Sequence, residues 1–325
     1  MPPFLAFASA YLRALPQHLT APWFYVVLIL IALQYRRTAS LERRFWGREK
    51  QSVLWHMLVS LLFGVLGGIL GSILLLSVGV TLAGNWLVYT WVVAIILAFV
   101  SARLMCFAYA GGLVALSSLL FGWPKVDIPS LLALVALLHT VESILMYLSG
   151  HLGAIAVSVR TSRGDIVAGY SLQKFWPVPL LALMALPLAM PAGVPTIPMP
   201  DWWPLIRPQG LGDTFSFWMI PIVAGLGYGE LAITTTPQQK ARQSAWKLAL
   251  YSGVLFALAF LATRFSVFLY IAALFAPIGH ELLVWTTNRQ EMNGRPLLSV
   301  SPDTDVFLEA RFTSPLDYLA KLWGR

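Results

Sequence analysis

Nine stretches of this chain are apolar over bilayer length, and short basic loops separate them. They fall near residues 20–35, 52–76, 85–103, 104–122, 128–149, 176–191, 215–234, 247–263 and 265–286. Roughly 20 apolar residues cross a ~30 Å hydrocarbon core as a helix. Only structures that satisfy their own backbone hydrogen bonds survive there. The expected fold is therefore all-α: a polytopic transmembrane helical bundle of eight or nine spans over residues 1–286. A short cytoplasmic β-hairpin and a C-terminal tail, 287–325, complete it. Composition agrees, with 58% hydrophobic and 11% charged residues, against about 25% charged in soluble domains.

The net charge of +8 reads as loop charge rather than a nucleic-acid surface, because a basic face needs a folded segment to carry it. The loop 36–50 holds six Lys and Arg. Arg103, Arg160, Arg163, Lys174, Lys240, Arg242 and Lys247 fall on the same side of an alternating topology. Arg13, Lys125, Arg207 and Arg264 fall on the other. The positive-inside bias makes the richer side cytoplasmic, with the N-terminus outside and the C-terminus inside. The lone Cys106 gives no intrachain disulfide and no cysteine-based metal cluster. Residues 1–20 lack the basic start of a signal peptide. They read as an interfacial segment with Phe4, Phe7, Tyr11 and Leu15 towards lipid.

Two loops depart from the helical pattern. Residues 191–214 combine Pro and Gly with Trp202 and Trp203, which suits a headgroup-level surface loop. Residues 152–175 place β-branched residues around Thr-Ser-Arg-Gly-Asp, which predicts a β-hairpin turning near 161–165. The break at Ser101, Ala102 and Arg103 is either a tight turn between two spans or the tip of a re-entrant pair. Matched broken helices of an inverted-repeat transporter are not recognisable.

Ionisable residues inside the apolar runs are the candidate site. His139 and Glu142 are three apart and share one helix face. His280 and Glu281 are adjacent, after Pro277 and Gly279. At 1.5 Å per residue Glu142 lies ~21 Å into its span and His280 ~22 Å, so the two can share a layer. Two imidazoles and two carboxylates can ligate Zn or Fe. They can equally close a cofactor-free hydrogen-bonded network, or line a proton or ion path. A zincin needs His-Glu-x-x-His, but Leu282, Leu283 and Val284 follow Glu281. No Gly-x-Ser-x-Gly elbow appears either, which disfavours intramembrane proteolysis. Gly64 with Gly68, and Gly67 with Gly71, form Gly-x-x-x-Gly pairs for close packing, either within the bundle or between copies in a homo-oligomer.

Three segments carry a resemblance: APWFYVVLILIALQYRRTASLERRFWGRE (21–49), LLALVALLHTVESILMYLSGHLGAIAVSVRTSRGDIVAGYSLQKFWPVPL (131–180) and APIGHELLVWTTNRQEMNGRPLLSV (276–300). Together they resemble the polytopic, PDZ-carrying membrane proteins of Firmicutes, the MinJ-type topological determinants of cell division. The resemblance implies a non-enzymatic membrane scaffold that contacts the bilayer and other membrane or division proteins through its cytoplasmic loops. It departs from the family at the tail. A PDZ domain needs on the order of 90 residues, whereas 40 follow Trp285. They can supply a strand at Val306–Phe312 and a helix at Pro315–Leu322, a remnant without a complete peptide groove. A membrane-embedded metalloenzyme or ion-coupled transporter using the His/Glu cluster is the competing function.

Overall fold

A computed structural model describes residues 3–82, 86–160, 165–186, 196–207, 216–299 and 308–309. Eight α-helices occur among them: α1 (Pro3–Thr20), α2 (Pro22–Trp46), α3 (Val53–Val78), α4 (Trp86–Val100), α5 (Phe107–Phe121), α6 (Ile128–Ser149), α7 (Pro237–Ala262) and α8 (Val267–Asn293). A single 3-10 turn, Ala102–Met105, joins α4 to α5. The principal strands are β1 (Ile155–Arg160), β2 (Ile166–Leu186) and β3 (Ser216–Ala232). Two-residue strands β4 (Leu298–Ser299) and β5 (Leu308–Glu309) add to them.

Five helices, α2, α3, α6, α7 and α8, are long and apolar enough to cross a membrane, consistent with a membrane protein. The expectation of eight or nine spans is not met. Within the apolar runs at 176–191 and 215–234, the residues up to Leu186 and from Ser216 to Ala232 are strand, not helix. β2 and β3 pair antiparallel from Tyr170↔Ala232 to Leu186↔Ser216. The reason lies in spacing. Pro177 and Pro179 would each cost a helix a hydrogen bond and a clash, and Gly225, Gly227 and Gly229 remove side chains at every second residue. A period of two belongs to a strand.

A strand among apolar helices must have its free edge satisfied. In an antiparallel ladder, alternate residues turn N–H and C=O away from the partner. On β2 several outward groups between Phe175 and Leu183 have partners or need none. The Phe175 N–H donates to the Tyr35 hydroxyl at 3.2 Å. Pro177 and Pro179 have no N–H to satisfy. The Leu181 N–H donates to Ser72 Oγ at 2.8 Å. The Leu183 carbonyl accepts from Leu82 N–H at 2.6 Å. At ~3.3 Å per residue the apolar half of β2, Trp176–Leu186, runs roughly 36 Å, about the thickness of a hydrocarbon core.

The glycine face of α3 makes room for this strand. A Cβ at Gly64 would strike the Pro177 carbonyl oxygen, and one at Gly68 the Pro179 carbonyl oxygen. Gly67 faces Leu145 of α6, and Gly71 faces Leu180 and Val141. Both Gly-x-x-x-Gly pairs thus pack inside the chain, against β2 and α6. The segment 1–20 also differs from its expected placement. It is helical, and Phe7 and Tyr11 are buried rather than turned to lipid. They pack with Leu76, Leu181 and Leu183, with Leu15 beside them. His18, fully buried, sets its ring nitrogens 3.0 Å from the Ala14 carbonyl and 2.9 Å from that of Leu180, fastening α1 to the hairpin.

At one end of the bundle the hairpin base forms a small sheet. β1 pairs β2 from Ile155↔Ser171 to Arg160↔Ile166, as expected for 152–175, although residues 161–164 of the turn lie outside the described residues. Ile155, Val157, Val159, Val167 and Ile233 form its core against Phe45 and Met292. The Trp46 indole donates to the Ala156 carbonyl at 2.8 Å. The tail strand expected at 306–312 is represented by β5, which pairs parallel with β1. The helix expected at 315–322 lies outside the described residues, as do 191–195 and 208–214 of the loop 191–214. Within 196–207, the Trp203 indole donates to the Leu76 carbonyl at 2.9 Å, while Trp202 is exposed.

A polar knot ties this end together. Glu291 of α8 accepts from the N–H groups of Ile233 and Thr234 at 2.7 and 2.8 Å. Buried Lys240 of α7 reaches Glu291 at 3.2 Å and Glu230 of β3 at 3.5 Å. The Ser244 hydroxyl donates to Glu230 at 2.5 Å. A capping box between Thr236 and Gln239, with Pro237 in the first turn, starts α7 beside it.

Candidate metal-ligand cluster

The helices α4 and α5 have 15 residues each, roughly 22 Å at 1.5 Å per residue. That is short for a ~30 Å core. Their junction, Ser101–Cys106, does not reach the end of the bundle. It meets His139, the twelfth of 22 residues of α6, and His280, the fourteenth of 27 in α8. The α4–α5 pair therefore has the geometry of a re-entrant hairpin with its tip beside mid-helix. Non-helical backbone at such depth is tolerated where protein covers it. α5 can lie close to α8 because Gly112 faces Pro277 and the Ala273 carbonyl, which the proline deprives of its helical donor.

Three ligand atoms converge at the tip. Cys106 Sγ lies 3.1 Å from His139 Nε2 and 3.7 Å from His280 Nε2. The ligand atoms of Cys106, His139 and His280 all fall within 4.8 Å of one another. His139 is buried, while Cys106 and His280 are partly so. The His139 Nδ1–H donates to the Val135 carbonyl at 2.7 Å. In a neutral imidazole that bond places the proton on Nδ1 and leaves the Nε2 lone pair facing the sulfur. Cys106 is also the N-cap of α5, its Sγ receiving the Ala108 N–H at 3.5 Å. Tyr251 stands over both imidazoles, 5.7 Å from His139 and 5.6 Å from His280 between centroids. Its hydroxyl is held away by the Ala276 carbonyl at 2.7 Å.

The two carboxylates expected in the site take other positions. Glu281 pairs with Arg103 of the tip at 3.1 Å and accepts from the Tyr109 hydroxyl at 2.7 Å. Glu142 lies one turn beyond His139 on α6 and is not part of the converging group. The structure thus brings together His139 and His280 of the four expected residues, with Cys106 as a third side chain that could ligate an ion. Cys106, expected to build no cysteine-based metal cluster, lies instead in a mixed Cys/His group. Its signal was the polar interruption Ser-Ala-Arg at 101–103, followed by a thiol where a helix restarts. A cleft of about 710 Å³, lined by Arg36, Arg43, Glu49 and apolar side chains of α2 and α3, lies elsewhere.

Comparison with known protein families, with curated proteins and with solved structures finds no match to this chain.

Proposed function

We propose that this protein is a non-enzymatic membrane scaffold of the kind its sequence resembles, the MinJ-type division-site organisers. It sits in a bacterial cell membrane with its N-terminus outside and the hairpin base inside. The observation that carries this reading is the small sheet at the end of the bundle. It accepts short strands from the chain's own C-terminal segment at two places, β5 along β1 and β4 along β2. A sheet that takes up added strands offers backbone hydrogen bonds to an extended peptide, a common mode of partner recognition. The partners in this reading are other membrane or division proteins, and the sheet rests on α2, α7 and α8 as a rigid base.

A fluorescent fusion of the full chain, expressed in dividing bacteria, should concentrate at the division site. Removal of residues 298–325 should leave it membrane-inserted but redistribute it. An even distribution of the full-length fusion around the membrane would contradict the proposal. The competing function, a membrane-embedded metalloenzyme or ion-coupled transporter, is favoured by one feature: a thiol and two imidazoles converge beside an Arg103–Glu281 pair at mid-helix.

A further inference from the structure

We propose that Cys106, His139 and His280 bind one zinc-class divalent ion, which fastens the tip of the α4–α5 hairpin to α6 and α8. The separations fit. With Zn–S near ~2.3 Å and Zn–N near ~2.05 Å, a tetrahedral angle places sulfur and nitrogen ~3.6 Å apart. The observed 3.1 and 3.7 Å bracket that value. A thiolate with two neutral imidazoles is a donor set suited to zinc.

The surroundings fit as well. His139 donates its other ring N–H to the Val135 carbonyl, the outer-shell bond that metal-bound histidines ordinarily make. The Ala108 N–H at the start of α5 points to the sulfur and would remain as an outer-shell donor to a bound thiolate. Glu281, occupied by Arg103 and Tyr109, stays outside the coordination sphere. Three protein ligands leave the fourth corner to water. Binding releases the thiol proton, since only the thiolate ligates.

The ligands lie on elements far apart in sequence, so the ion closes long loops. Cys106 and His139 are 33 residues apart, and Cys106 and His280 are 174. The inference does not depend on the scaffold reading, since either a scaffold or an enzyme can carry such an ion.

The test uses the full chain, purified in detergent without chelator and equilibrated with Zn²⁺ alone. Elemental analysis should find one zinc per chain. Cys106→Ser, His139→Gln and His280→Gln should each lower bound zinc by about tenfold or more, while Glu142→Gln retains it. Co²⁺ in place of zinc should give thiolate-to-metal charge-transfer absorption that Cys106→Ser removes. Should the histidine variants fail to fold, the wild type still decides. Maleimide should modify Cys106 about tenfold faster after chelation than with zinc bound. Zinc well below stoichiometric in the folded wild type, or a Cys106 reactivity indifferent to chelator, would overturn the site.

Discussion

Glu291→Ala should destabilise the protein by on the order of 3–5 kcal/mol, the usual cost of stranding a buried charge by removing its partner. The carboxylate is 4% exposed and Lys240, its partner, 2%. The same carboxylate accepts both backbone N–H groups that lead out of β3. Its loss leaves two donors and part of an ammonium without partners, and each unsatisfied polar group adds its own desolvation penalty. Glu291→Gln should cost less, because the amide oxygen can keep one backbone bond. A paired change, Glu291→Leu with Lys240→Met, should recover only part of the loss, since it removes the stranded ammonium but leaves the Ile233 and Thr234 N–H groups and the Glu230 carboxylate short of partners. Thermal unfolding in detergent, followed by tryptophan fluorescence, reads all three. A single alanine variant as stable as wild type would show that the knot is not formed.

The second large effect concerns the contact between α3 and β2. Gly68→Leu places a branched side chain where the Pro179 carbonyl oxygen and the Tyr11 hydroxyl already stand. Overpacking usually costs about 1–3 kcal/mol when side chains can move aside. Here the obstacle is backbone held in a paired ladder, so the cost should lie at or above that range. Gly253 of α7 provides the control, because a Cβ there meets nothing within 4 Å. Gly253→Ala should be neutral or stabilise by about 0.5–1 kcal/mol through helix propensity. The melting temperature should therefore fall for Gly68→Leu and hold or rise for Gly253→Ala. If Gly68→Leu is tolerated like Gly253→Ala, β2 does not lie against that face of α3.

Much of the helical frame was legible because length and apolarity suffice for it. The span expected at 128–149 coincides with α6, and those at 52–76 and 265–286 overlap α3 and α8 along most of their length. The strands at the centre were not legible by the same signal. An apolar run of about twenty residues reads as a membrane helix by hydropathy, and periodicity is silent when both faces are buried. β2 is buried along most of its length, so no alternation of polar residues marks it. What did mark it was the spacing of Pro177 from Pro179 and of Gly225, Gly227 and Gly229.

The site was half legible. Helix rise alone set His280 at a depth similar to that of the polar residues of α6. The sequence did not pair Glu281 with Arg103, although a lone arginine in an apolar run calls for a counter-ion. Cys106 stayed hidden because its role depends on the short tip between α4 and α5, a matter of tertiary placement.

The most direct test of the account is a cross-link within the hairpin. Leu183 and Met219 are Cα partners. By the alternation seen at Leu181 and Leu183 they form a non-hydrogen-bonded pair, whose ~4.5 Å Cα separation falls in the range a disulfide spans. In a Cys106→Ser background and in intact membranes, L183C with M219C should oxidise to near completion. L183C with G225C, six residues out of register and so roughly 20 Å away, should not. Cross-linking confined to the first pair is the predicted result. Failure of that pair, or equal reaction of both, would contradict a β-hairpin at the centre of this protein.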